Sequence, residues 1–266
     1  MLLLTGSVTA AVAAFVSGGA HAADKLTVDE IIKKAVHSVY SGNEESTYTM
    51  KLAGPDGAEA PRKMKVAFRR TGDESGKLMI KFLEPADIRG TALLSIAEKD
   101  KNPDQWIYLP ALKKVRRIKG GNENEAFLGS DFSVGDISGM DSDQKRYKYE
   151  VTTDDKACGS FHCYVITGNP RGDVDAASLP YSKKVLEVRK DSFLATHVEL
   201  YNADGKLEKV LELKGVHNEG GKGWLADSME MKNVLTNHST VIEVSKRDTT
   251  KVPSESAFTQ AALERM

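Results

Sequence analysis

The sequence has no excess of charge of either sign. Lys and Arg number 37 against 38 Asp and Glu, a formal net charge of -1. A nucleic-acid binder normally shows a basic surplus, so that class is set aside. Catalytic signatures are missing too: there is no GxSxG elbow, HExxH, P-loop or Rossmann glycine pattern. Outside the N-terminus, the histidines His37, His162, His197, His217 and His238 are scattered. Strand or loop surface positions are expected for them, and no enzyme, metal site or organic cofactor is expected. Asp131, Asp136, Asp141 and Asp143 gather in one stretch but without EF-hand spacing, so they read as solvated loop charge.

Long apolar runs are also scarce. Only Leu2 to Val16 is almost wholly small or apolar, which is too short for a bilayer anchor, and no later run offers a membrane span. Ala20-His21-Ala22 gives a small-x-small cleavage pattern. Residues 1–22 are therefore expected to be an export signal, although no Lys or Arg precedes the run, and residues 23–266 one domain. With no cysteine near the expected cleavage point, lipidation is not expected. Cysteine itself is rare: Cys158 and Cys163 are the whole supply. For an exported chain a lone pair reads as a disulfide across a hairpin turn. Free thiols are the alternative, and a metal site with His162 falls short of ligands.

What is present is mostly alternation. One segment differs: Val28, Ile31, Ile32, Ala35, Val36 and Val39 recur at helical spacing. Thr27 and Glu30 form a candidate capping box and Gly42 a candidate stop. This predicts an amphipathic helix that covers a sheet or walls a cavity. From Glu45 the period drops to two. Met50 and Leu52, then Val66 and Phe68, then Leu78, Ile80 and Phe82 alternate with polar residues, separated by turns such as GPDG. The rhythm continues to about residue 246, and a short helix is expected over 254–265. The strands number about eleven. So many antiparallel strands with one apolar face must curl or close, around either a packed interior or a cavity.

The stretch from Asp104 to Ser138 interrupts the rhythm. QWIYLP and the basic KKVRRI read as strands, and a long loop follows that still carries Phe127, Leu128 and Phe132. Loops of that length inside a domain tend to be lids or binding segments. Trp106 and Tyr108 share one strand face, with Ile107 and Leu109 on the other. Met50, Leu52, Val66, Phe68, Leu78, Ile80, Phe82, Trp106, Tyr108, Phe127, Leu128 and Phe132 are the expected cavity lining or lid. The last three either plug the core or gate a cavity mouth. Lys113, Lys114, Arg116 and Arg117 form the densest basic patch. It reads as a solvated face that discourages edge pairing, or as a contact for lipid headgroups or an acidic partner.

WIYLPALKKVRRI followed by FLGSDFSVGDIS resembles the LolA-like outer-membrane lipoprotein-sorting proteins. FLEPADIRGTALLSI, CYVITGNP, HVELYNADGKLEKV and MEMKNVLTNHSTVIEV agree in order, so the resemblance spans nearly the whole chain after residue 22. It implies a single, strongly curved antiparallel sheet, an unclosed β-barrel, with a helical lid. It also implies a periplasmic, non-catalytic carrier of lipid or acylated lipoprotein, with peripheral membrane contact as a possibility. The branch is associated with RND-type, MMPL-like exporters, so a docking subunit of such an exporter is the alternative. The arginine and lid residues of the lipoprotein chaperone do not map onto particular positions of this sequence.

Overall fold

The structure is a computed structural model that describes residues 25–40, 42–72, 75–99, 101, 103–118, 125–138, 146–176 and 179–265. The expected export signal lies outside the described residues, as do Asp141 and Asp143 of the long loop. Helix α1 spans Val28–Ser38. Its box forms in both directions: Thr27 Oγ1 accepts the Glu30 amide at 3.3 Å, and Glu30 Oε2 accepts the Thr27 amide at 2.8 Å. The helix ends ahead of the expected Gly42 stop, because Val39 turns extended and bridges to Trp224.

The strands are β1 Glu44–Ala53, β2 Glu59–Gly72, β3 Ser75–Glu84, β4 Ala92–Ala97, β5 Asp104–Leu109 and β6 Lys114–Ile118. After the long connection come β7 Tyr147–Cys158, β8 Phe161–Pro170, β9 Lys183–Arg189, β10 Ala195–Tyr201 and β11 Leu207–Lys214. A small excursion, β12 His217–Asn218 paired with β13 Trp224–Leu225, precedes β14 Ser228–Asn233 and β15 His238–Asp248. Thirteen strands form one sheet in the order β6-β5-β4-β3-β2-β1-β15-β14-β11-β10-β9-β8-β7. The sheet thus holds two strands more than the expected eleven. Every pairing is antiparallel, and the sheet does not close into a barrel.

The topology explains the long loop. Strands β1 to β6 form one meander, β7 to β11 with β14 form a second, and β15 inserts between β14 and β1 to join them. Consecutive strands β6 and β7 therefore stand at opposite edges. The chain between them has to cross the sheet, and part of its path is Phe127–Gly129, a single 3-10 turn, and helix α2, Val134–Ser138.

Alternation gives each sheet face its own partner. On the inner face, Met50, Leu52, Met64, Ile80, Phe82, Leu93, Leu200, Met231 and Ile242 pack with Phe127, Phe132 and Val134 of the crossing segment. Toward β7–β9 the same face is covered by α1, whose Ile31 and Ile32 meet Ile166 and Val188. Over β2 to β6 the outer face is covered by the C-terminal segment. The expected helix there is split into a 3-10 turn, Glu255–Ala257, and α3, Gln260–Leu263. Phe258, Ala262 and Leu263 cover Ala67, Met79, Ala92 and Leu94, and Lys81 Nζ donates to the Ala262 carbonyl at 2.6 Å. The expected disulfide is present between Cys158 and Cys163, whose Cα atoms stand 6.0 Å apart at the tip of the β7–β8 hairpin.

A plugged inner face as the candidate site

The segment from Glu125 to Ser138 is the plug of the inner face. Two backbone bonds fold it on itself: Phe127 N donates to Phe132 O at 2.8 Å and Val134 N to Glu125 O at 3.0 Å. The tight bend between them needs left-handed backbone at Leu128 and Gly129 (φ 51° and 75°), where glycine is the residue without penalty. Ser133 then caps α2 reciprocally, its amide donating to Asp136 at 2.8 Å and its hydroxyl accepting the Asp136 amide at 3.0 Å. So short a helix has little stability of its own. What holds the plug is the sheet.

Three side-chain anchors fix it. Asp131 is 8% exposed and lies against β15. Its Oδ2 accepts from Thr240 Oγ1 at 2.7 Å and from His238 Nδ1 at 2.6 Å, and its amide donates back to Thr240 Oγ1 at 2.9 Å. A carboxylate only accepts, so the imidazole carries its proton on Nδ1. Thr240 is wholly buried. The second anchor is Tyr181, whose hydroxyl lies 3.1 and 3.3 Å from the Asp136 carboxylate oxygens. Burial first, and then the Asp136 charge, hold that phenol well above its ordinary range, so it stays a donor. The third is Arg62 of β2, which donates to the Leu128 carbonyl at 2.5 Å; burial lowers its pKa. Near Tyr181 lie two amines. Lys184 Nζ stands 4.6 Å from the Tyr147 ring and 5.4 Å from the Tyr181 ring, and Lys209 Nζ stands 5.8 Å from the latter.

An aspartate, a histidine and a hydroxyl thus meet, but as a latch. The carboxylate holds both partners, whereas an activated nucleophile needs the imidazole on the hydroxyl. Among the described residues no cluster of His, Cys, Asp or Glu has the arrangement of a metal site.

The expected lining residues are mostly brought together. Met50, Leu52, Ile80, Phe82, Phe127 and Phe132 are buried in the inner cluster, with Val66, Leu78 and Leu128 packed against it. Phe68 shares their strand parity and lies half-buried over Gly76. Trp106 and Tyr108 need correcting: they lie on the outer face, with Phe258 and Leu263. Tyr108 pairs with Ala92 and Trp106 with Leu94, both outer residues, so Ile107 and Leu109 take the inward positions. The expectation of solvated loop charge also fails for Asp131, which is buried against β15, whereas His238 keeps a half-exposed strand position and turns its imidazole to Asp131. Lys113, Lys114, Arg116 and Arg117 lie on or beside edge strand β6, where Arg117 pairs with Asp104 and the other three form no ion pair among the described residues. Sequence reasoning missed Thr240, Tyr181, Lys184 and Arg62. The signal available for Thr240 was a polar residue at an inward position, with His238 before it and the apolar Ile242 and Val244 after it on the same face.

A family model described as "-like: Uncharacterized protein" matches residues 74–265. Among solved structures, an outer membrane lipoprotein-sorting protein domain from Vibrio parahaemolyticus superposes with a TM-score of 0.79 at 27% identity, covering 89% of this chain and 97% of that one. The chain belongs to this matched family, and its fold is that of the LolA-like lipoprotein-sorting proteins. A DUF1329 family protein from Desulfovibrio piger gives a TM-score of 0.77 at 26% identity, covering 88% of this chain and 96% of its own. A LolA superfamily protein from Nitrosomonas europaea shares the fold, with a TM-score of 0.66 at 21% identity over 89% of this chain and 99% of that one. No curated protein matches the sequence. In LolA-like terms, the inner face described above is the unclosed barrel's interior, and the plug and α1 are its helical cover.

Proposed function

We propose that this protein is a periplasmic carrier that takes up the acyl chains of a lipid or lipoprotein on its inner face, without covalent chemistry. Residues 1–22 serve as its export signal and 23–266 as the carrier domain. One observation carries the reading. The apolar inner face is covered across its centre by a five-residue helix and a single 3-10 turn, held by side-chain hydrogen bonds, and not by a second layer of structure. Acyl chains gain about 0.8 kcal/mol per buried methylene, enough to compete with such a cover. Met50, Leu52, Val66, Phe68, Leu78, Ile80 and Phe82 line the acyl site, and Phe127, Leu128 and Phe132 occupy it when it is empty. Lipid extraction and native mass spectrometry of protein purified from its own cell envelope test this. Co-purifying acylated molecules are the expected result, and a protein that neither retains nor takes up any amphiphile overturns it.

A second reading, docking to an RND-type exporter, is favoured by the cations Lys113, Lys114 and Arg116 at the sheet edge, which form no ion pair among the described residues. Charge reversal at these positions and Arg117 abolishes co-purification with an exporter if that reading holds. Unchanged co-purification rejects it.

A further inference from the structure

The plug has more polar chemistry than a purely apolar cover needs. It places one buried carboxylate on a hydroxyl and an imidazole N–H, and a second carboxylate on a phenol. Beside them it inserts Phe127, Phe132 and Val134 into the inner cluster. That is the outline of an amphiphile with an oxyanion head. The sheet is built to match. Thr240 is fully buried between strand neighbours Met231 and Leu52, both apolar, yet it keeps a hydroxyl that only Asp131 satisfies among the described residues. When the plug leaves, the hydroxyl of Thr240, wholly buried between apolar neighbours, the Nδ1–H of the partly exposed His238 and the hydroxyl of Tyr181 remain as donors without their acceptors. A bare hydrocarbon chain leaves them unsatisfied, which is costly, and an oxyanion restores their bonds. Lys184 and Lys209 add positive charge on the Tyr181 side, against Asp136 and Glu208.

We propose that Thr240 and His238 form a headgroup subsite for an oxyanion, which Asp131 occupies as an internal stand-in. The cargo class is then a long-chain amphiphile ending in a carboxylate or a phosphate. This inference rests on the carrier reading and deepens it.

The test uses the delipidated full chain and displacement of a neutral fluorescent alkyl probe by tetradecanoate, tetradecyl phosphate and tetradecyl maltoside, each below its micellar concentration. Both anionic compounds, or one of them, displace the probe at least about tenfold more tightly than the maltoside, and the one that does identifies the headgroup. In Thr240→Val, and separately in His238→Gln, that ratio falls to about threefold or less. The second variant alters a partly exposed residue and so keeps the test alive if the first fails to fold. Equal affinity for all three compounds in the wild type overturns the subsite but leaves the carrier reading intact. A chain that binds neither the probe nor any of the three overturns both.

Discussion

A carboxylate buried among apolar side chains is costly unless its oxygens find donors. Asp131 meets that condition only because His238 and Thr240 stand two positions apart on one strand and so share a face. The pairing links residues more than a hundred positions apart, and for that reason loop aspartates and scattered histidines gave no sign of it in the sequence. Tyr181 offers a direct check at this scale. Its hydroxyl stays protonated in the folded protein, while an unfolded tyrosine ionises near 10.0. The folded state thus holds a proton that the unfolded state releases, and stability falls as pH rises past about 10. In Tyr181→Phe, the slope of unfolding free energy against pH above that value is shallower than in the wild type. Identical slopes would assign the alkaline sensitivity to other groups.

Phe82 and Phe132 are both almost fully buried in the same cluster, but one belongs to a strand and the other to the plug. In the strand, Phe82→Ala costs about 3–5 kcal/mol, because the sheet does not collapse around the cavity. If the plug undocks, as the proposed carrier role requires, the cost of Phe132→Ala cannot exceed the plug's own docking energy. A smaller loss than at Phe82 is expected in denaturant titrations, together with tighter binding of an alkyl probe. Equal losses would make Phe132 an ordinary core residue. The β7–β8 hairpin is a second independent element. Reducing Cys158–Cys163 opens a short loop and lowers stability by about 2 kcal/mol, read as a lower urea midpoint. Thiol labelling of denatured, unreduced protein gives no signal. These elements also show what the sequence made legible. The period-two pattern, the Thr27–Glu30 box and the cysteine pair are local, and each appears as read. The faces of β5 were not legible, because both are apolar: only strand pairing and the C-terminal helix determine that Trp106 and Tyr108 face outward.

The joint between the two meanders is the pairing of β15 with β1, with Met50 opposite Ile242 and Leu52 opposite Thr240. The strand that anchors the plug is therefore also the strand that holds the halves together. On the proposed carrier role, loading breaks the first set of contacts and spares the second, and their bond types allow it. The plug is attached by a few side-chain bonds and by apolar burial that an acyl chain reproduces. The joint is a backbone ladder running from Glu45 to Ala53 of β1, with one register shift between Thr47 and Tyr48, and no ligand replaces it. Hydrogen exchange separates the two. On saturation with a long-chain amphiphile, the amides of Phe127, Asp131 and Val134 lose protection, since their acceptors at Phe132, Thr240 and Glu125 are no longer aligned. The amides of Met50 and Ile242 keep theirs. Greater protection of the plug amides on loading would mean that the segment closes over its cargo, and would reverse the order of events argued from Asp131. Loss of protection along β1 and β15 would mean that loading opens the sheet itself.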